Sequence, residues 1–264
     1  MDKATLGGIV IAIAGILGGM TIEGGKIAQI IQPTAAMIVL GGTIGGVMIS
    51  YPLPVVIGSA KRLNQVVFEH GIDMNSLIKE MVGYAQKARK EGIVSLDNEL
   101  EKVQNPFLKK SLMLAIDGTE PQELRKMMEL EMSNQAEQEE KAPQVFEAAG
   151  GYAPTMGIVG AVLGLIQVMQ HLSDVAEVGR GIAVAFVATI YGLVCANILF
   201  LPSAGKLKHR NRQEELTREM ILEGVISILE GLNPRMVETK LRGFVAEKQE
   251  KEKEKQKVGQ LESA

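Results

Sequence analysis

Charged residues are missing from long runs of this chain and crowded into the segments between them. The uncharged stretches are Ala4–Ile22, Ile27–Ala60, Ala148–Ser173 and Gly181–Gly205. A hydrocarbon core about 30 Å thick needs about 20 apolar residues in a helix, so each stretch is long and apolar enough to span. In the second, Pro33 near the start and Pro52 and Pro54 near the end frame a helix over Thr34–Tyr51. The polar remainder repeats at helical spacing. Leu77, Ile78, Met81, Val82 and Tyr84 share one face, with Asp73 and Asn75 as caps. A second unit runs from Pro106 to Asp117-Gly118, and a third from Glu120-Pro121 to Lys141-Ala142-Pro143. Leu216, Met220, Ile221, Val225, Ile226, Ile228 and Leu229 mark a further amphipathic helix, which Asn233-Pro234 ends. From Glu247 to Lys257, Lys and Glu alternate with almost no apolar residue, which predicts a frayed tail.

The pattern predicts an all-α polytopic membrane protein, with four transmembrane helices and a large helical cytoplasmic domain between spans 2 and 3. Residues 1–60 form a first transmembrane hairpin and 61–147 the cytoplasmic domain. Residues 148–205 form a second hairpin, and 206–264 a cytoplasmic helix with a charged tail. The first stretch also has the weak basic start of a signal peptide at Lys3. Gly24, Gly25 and the apolar run that follows at once favour a hairpin instead.

Average composition conceals this division. Over 264 residues the net charge is −3 and 46% are hydrophobic, values ordinary for a soluble protein. Lys and Arg set the orientation. Lys61 and Arg62 follow the second stretch, and Lys206, Lys208, Arg210 and Arg212 follow the fourth. The other connections hold only Glu23 with Lys26, and Asp174 and Glu177 with Arg180. Both termini and the middle segment are therefore expected to be cytoplasmic. The single Cys195 excludes an intrachain disulfide. Without tryptophan, Tyr51 and Tyr152 are left to form the aromatic belt.

Enzyme signatures are missing from the sequence. His70, His171 and His209 have no paired ligand spacing, and no phosphate-cradling Gly-Lys-Ser/Thr loop occurs. Basic residues lack the interleaved aromatics of a nucleic-acid surface. Glycines four apart (Gly15 and Gly19, Gly41 and Gly45, Gly160 and Gly164) let helices pack closely. Gly157, Gly160 and Gly164 are dense enough to call for a tightly fitted partner helix. Thr155 after Pro154, and Thr189 in the fourth stretch, either bond back to their own helix or serve something polar. No Asp, Glu, Lys or Arg lies inside a span. An ion carrier needs such a group part-way across, so the chain is structural or a partner supplies the carboxylate.

Residues 154–165, Pro-Thr-Met-Gly-Ile-Val-Gly-Ala-Val-Leu-Gly-Leu, resemble the third-span signature of the flagellar stator MotA family, within the MotA/TolQ/ExbB superfamily. Val39-Leu40-Gly41-Gly42-Thr43 is similar to its second-span motif, and Ala188-Thr189-Ile190-Tyr191-Gly192 to its fourth. Ala88 to Asp97 and Asp117-Gly118-Thr119 with Glu123-Leu124-Arg125 resemble its cytoplasmic motifs. The resemblance implies a homo-oligomeric ring in a bacterial inner membrane. The ring surrounds the helices of a MotB-type, single-span, peptidoglycan-binding partner that supplies an intramembrane aspartate. Ion flow then turns the ring against the rotor switch protein. Arg89 matches a rotor-facing arginine, and Asp97 stands where the family has glutamate, one methylene shorter. Pro154 and Pro202 match prolines linked to coupling, and Thr189 the threonine near the ion route.

Sodium-driven relatives carry threonines at the places of Ala161 and Ala188. Those alanines remove oxygen ligands that a dehydrated sodium ion needs, which favours protons as the transported ion and implies no cofactor. The ion path then comprises Thr155, Ala161, Ala188 and Thr189. Three alternatives stay open. One is a sodium-driven subunit of the PomA/MotP type. Another is an ExbB/TolQ-type energiser, although those chains lack the first hairpin. The third is a structural scaffold without ion flux, which gives Thr189 and Pro154 no role.

Overall fold

The computed structural model describes residues 2–67 and 73–245. His70 and the tail Glu247–Lys257 lie outside the described residues. Every regular element among those described is helical: α1 (Lys3–Ile22), α2 (Pro33–Ser50), α3 (Leu53–Val67), α4 (Met74–Glu91), α5 (Pro106–Ile116), α6 (Pro121–Gln170), α7 (Val175–Val194) and α8 (Leu201–Leu229). A last helix, α9, covers residues 234–245. Four helices are long and apolar enough to cross a membrane: α1, α2, α6, and α7 continued into α8.

Pro143 does not end a helix, contrary to its sequence reading. α6 passes through both Pro143 and Pro154. A proline within a helix leaves the carbonyl four residues earlier without its N–H. For Pro143 that carbonyl belongs to Glu139, and Arg62 Nη1 of α3 donates to it at 3.3 Å. The third apolar stretch is accordingly one end of a 50-residue helix. The fourth is likewise not a separate rod. A π-helical turn over Cys195–Phe200 joins α7 to α8. This wider turn stands just before Pro202, whose ring would crowd an ordinary one.

The chain divides into two compact units, Met1–His70 with Glu139–Arg210, and Gly71–Gln138 with Asn211–Ala264. In the first, α2 lies beside α6 and α7. Gly42 faces Met156 and Gly46 faces Tyr152, each too closely for an added methyl without a shift. Gly41 and Gly45, expected to do this, face open space, as do Gly15 and Gly19. Four-residue spacing puts two glycines on one face but does not say which face turns inward. The span of α1 buries none of its residues. Asp2 caps α1, accepting from the Ala4 N–H at 3.1 Å and the Thr5 hydroxyl at 2.7 Å, and pairs with Lys206 at the start of α8. Tyr51 and Tyr152 are tied to helix ends: Tyr51 donates to the Gln144 carbonyl at 3.2 Å, and Tyr152 shares a 2.7 Å bond with Ser50.

In the second unit, Met81 of α4, Leu108 and Leu112 of α5, and Leu124 and Met128 of α6 are fully buried. Met220, Ile221 and Val225 of α8 and Val237 and Leu241 of α9 complete one core. The helical period of those sequences places one apolar stripe of each helix inward. Asp73 caps α4 as read from the sequence, accepting from the Asn75 N–H at 3.0 Å, while Asn105 caps α5.

Candidate functional site

The third- and fourth-span motifs meet along a seam between α6 and α7. A methyl added at Gly157 would lie 3.0 Å from the Ala188 carbonyl and 3.3 Å from the Thr189 Cα. At Gly160 it would meet the Ala188 methyl at 2.6 Å, and at Gly164 the Gly181 carbonyl at 2.8 Å. The approach is reciprocal, because a methyl on Gly192 would stand 2.5 Å from the Ala153 carbonyl and 3.1 Å from the Pro154 Cα. The tightly fitted partner helix demanded by Gly157, Gly160 and Gly164 is therefore α7 of the same chain. Backbones approach this closely only where side chains are absent.

Four of the sequence-assigned residues come together here. Ala188 is fully buried against Gly160, and Thr189 follows it against Gly157. Pro154 abuts Gly192, one turn further along α7, and Ala161 is half-buried beside Gly160. Both threonines bond back to their own helices: Thr189 Oγ1 donates to the Ala185 carbonyl at 3.2 Å, and Thr155 Oγ1 to the Tyr152 carbonyl at 2.8 Å. Each hydroxyl keeps its oxygen lone pairs as acceptors. Thr155 is not on the seam. It lies on the exposed side of α6 with Ile158, Val162, Leu165 and Met169, a stripe at helical spacing. Pro202 is exposed beyond the π-turn.

Tyr191, quoted above only as part of a motif, is the residue whose work the sequence did not disclose. Its phenol donates to the Ile30 carbonyl at 2.6 Å and accepts from the Gln32 N–H at 3.2 Å. Those backbone groups lie between the short 3-10 turn Ile27–Ile30 and the start of α2, where no helix satisfies them. A tyrosine in the middle of an apolar stretch was the available signal, since a buried phenol requires a partner.

Arg89 and Asp97 lie in the other unit, and both are exposed. Arg89 is in the last turn of α4, where a cation complements the helix dipole. Gly92, at φ +85°, ends that helix in a conformation that side chains rarely adopt. The 3-10 segment Ile93–Glu99 then carries Asp97. Leu96 anchors this segment, fully buried, with Ile93 packed against the same core. Val94 is exposed and anchors nothing. In 3-10 geometry residues three apart eclipse, so Ile93 and Leu96 share the inner side and Val94 is left outside. Lys87 of α4 pairs with Glu99 at 2.7 Å, and Lys102 pairs with Glu99 at 2.9 Å. Hydrogen bonds from those two ammonium groups hold the Glu99 carboxyl down at about 2. The segment bearing Asp97 is thus fastened from both sides, while among the described residues the exposed Arg89 and Asp97 have no charged partner.

Residues 6–92 match the family described as motility protein A N-terminal, and residues 99–220 match the MotA/TolQ/ExbB proton channel family. Motility protein A of Bacillus subtilis (strain 168) is 36% identical over 94% of this chain and 92% of its own length. The fold is similar to the solved MotAB of C. jejuni, with TM-score 0.88 and 32% identity over 92% of this chain and 96% of that one. It is also similar to the flagellar MotAB stator complex from Bacillus subtilis, with TM-score 0.85 and 34% identity over the same shares. Such kinship places the chain's role in membrane transport rather than in enzymatic catalysis. With its four apolar helices, glycine seam and matching N-terminal hairpin, the chain belongs to the motility protein A proteins of the MotA/TolQ/ExbB proton channel family.

Proposed function

We propose that this chain is the ring-forming subunit of a flagellar stator, which works with a MotB-type single-span partner to convert proton flow into torque on the rotor switch protein. The observation carrying this reading is the pairing of a transport family with apolar stretches that contain no Asp, Glu, Lys or Arg. Such a chain requires a carboxylate from elsewhere, and a partner aspartate beside the exposed Thr155 face of α6 supplies it. The similarity to solved MotAB complexes supports the partner and the oligomer. The match of residues 6–92 to the motility protein A N-terminal family weighs against an ExbB/TolQ-type energiser.

In this arrangement the chain lies in a bacterial inner membrane with both termini cytoplasmic. Along the third and fourth spans Thr155 and Thr189 offer hydroxyl oxygens, while Ala161 and Ala188 offer none. A sodium ion stripped of water needs several oxygen ligands, and a proton needs only the carboxylate and water. The passing ion is therefore a proton. Protonation of the carboxylate removes its charge and releases its hold on the Thr155 face of α6. The rigid seam then carries the movement as one body, and Pro154 and Pro202 mark where these helices bend. In the second unit Arg89 and Asp97 exchange partners with rotor charges.

The test is complementation of a motility-null strain with this chain and a MotB-type partner, followed by swimming in sodium-free medium and with a protonophore. Swimming that persists without sodium and stops with the protonophore is expected. Swimming that stops without sodium yet survives collapse of the proton gradient identifies sodium instead. Proton leak by the chain in vesicles without any partner would remove the need for the outside carboxylate.

A further inference from the structure

A cavity of about 710 Å³ opens in the first unit between the start of α1, the end of α3 and the π-turn. Its walls are Gly8, Ile9 and Ala12 of α1, Leu63 and Val66 of α3, and Ile198 of the π-turn. Thr5, Asn197, Ser203, Lys206 and His209 are the polar residues of the lining. The size falls within the range of about 300–1,000 Å³ typical of small-molecule sites. We propose that this cavity holds one phospholipid of the cytoplasmic leaflet, with an acyl chain against Gly8, Ile9 and Ala12 and the phosphate on Lys206.

Depth supports this occupant. Asp2 and Lys206 mark the end of the uncharged stretches, where hydrocarbon gives way to headgroups. At 1.5 Å per residue, Gly8 and Ala12 lie about 9–15 Å further along α1 from Asp2. That leads inward from a headgroup and along an acyl chain. Charge supports it as well. A lysine ammonium has three donors, and Lys206 gives one to Asp2; among the described residues the other two have no partner. The Lys206 side chain is 31% exposed, so an anion can reach it. Two other polar side chains of the lining bond to carbonyls four residues earlier in their own stretch. Asn197 Nδ2 donates to the Leu193 carbonyl at 2.9 Å, and Ser203 Oγ to the Leu199 carbonyl at 2.6 Å. An acyl chain thus meets an apolar wall. A chain leaving the bilayer gains no hydrophobic transfer energy on entry, so the phosphate contact must fix the lipid in place.

The test uses the full complex in native membranes with phosphatidylglycerol carrying a diazirine at the end of one acyl chain. A diacylglycerol with the same diazirine chain serves as the control without phosphate. Photolysis and peptide mapping should place the phospholipid label on residues 4–12 and 197–209, at least tenfold above the diacylglycerol label there. Gly8→Leu fills the cavity from a position where an added methyl meets nothing within 4 Å. It should abolish that label while the exposed Ile13, Ile16 and Ile22 of α1, outside the cavity lining, keep their own. Gly205→Leu, equally open, fills the cavity from α8 and decides the matter if Gly8→Leu fails to assemble. Lys206→Met should erase the preference for the phospholipid. Cavity label no stronger than on Ile13, Ile16 and Ile22 of α1, equal label from diacylglycerol, or label unchanged by both filling variants would each overturn the proposal. So would disulfide trapping of Ala12→Cys with a neighbouring copy across the cavity.

Discussion

Arg62 reaches from α3 to the Glu139 carbonyl at 3.3 Å, taking the place of the N–H that Pro143 cannot offer. A guanidinium therefore completes the backbone of a helix it does not belong to. Pro143→Ala restores the internal donor and should make Arg62 dispensable. Arg62→Met alone should destabilise by about 1.5–3 kcal/mol, the range of a hydrogen bond to a charged group, and much less in the Pro143→Ala background. A double-mutant cycle on the thermal unfolding of the detergent-solubilised complex measures this. Equal losses in both backgrounds would refute the substitution of one donor for the other.

The glycine seam should be intolerant at some positions and indifferent at others. Gly164→Ala places a methyl 2.8 Å from the Gly181 carbonyl, and neither backbone can swing aside. Forced overpacking of this kind costs about 1–3 kcal/mol, so complex yield and melting temperature should fall. Gly151→Ala and Gly205→Ala meet nothing within 4 Å and should leave both unchanged. A Gly164→Ala complex as stable as the parent would show that the seam can open.

Thr189→Val keeps shape and removes only the hydroxyl that donates to Ala185. That bond is internal to α7, so assembly should survive while proton-driven swimming falls several-fold. Equal swimming speed at equal complex yield would take Thr189 out of the ion path.

Arg89 and Asp97 stand exposed, and exposed charges add about 0–1 kcal/mol to folding at most. Arg89→Glu and Asp97→Lys should therefore weaken swimming without lowering the melting temperature. A matching reversal on the rotor should restore part of the speed. Normal swimming by both single variants would exclude them from torque.

Glu99 gives the second unit a pH dependence of known sign. Its carboxyl lies near 2 rather than near 4.5, because Lys87 and Lys102 bond the charged form. A lowered carboxylate stabilises the fold above its unfolded value, and that contribution is lost as pH falls from about 4.5 to about 2. Melting temperature should drop over that interval, and Glu99→Gln should flatten the drop. An unchanged slope in Glu99→Gln would assign the acid loss to other groups.

Much of this was legible in the chain itself, and the rest was hidden for definite reasons. Charge gaps fix the spans, because bare charges are excluded from hydrocarbon. Gly157, Gly160 and Gly164 announced a close packing, since period alone aligns them. Their partner was hidden because a helix face does not reveal whether its neighbour is in the same chain. Pro143 misled as a helix end because its rescue comes from Arg62, far away in sequence. Tyr191 illustrates the converse: a motif residue whose partners, Ile30 and Gln32, only folding brings within reach.

The wide turn at Cys195–Phe200 also sets a phase. With 3.6 residues per turn, each residue added to or taken from a helix spins everything beyond it by about 100°. A π-turn takes one more residue into a single turn, so it absorbs that offset and keeps what α8 shows at Lys206 in step with what α7 shows its neighbours. Removing a single residue there would close the wide turn and leave Lys206 near its place beside Asp2. The same deletion within the regular turns of α7 would swing everything beyond it by about 100°, so the wide turn should tolerate the loss of a residue far better than α7 does.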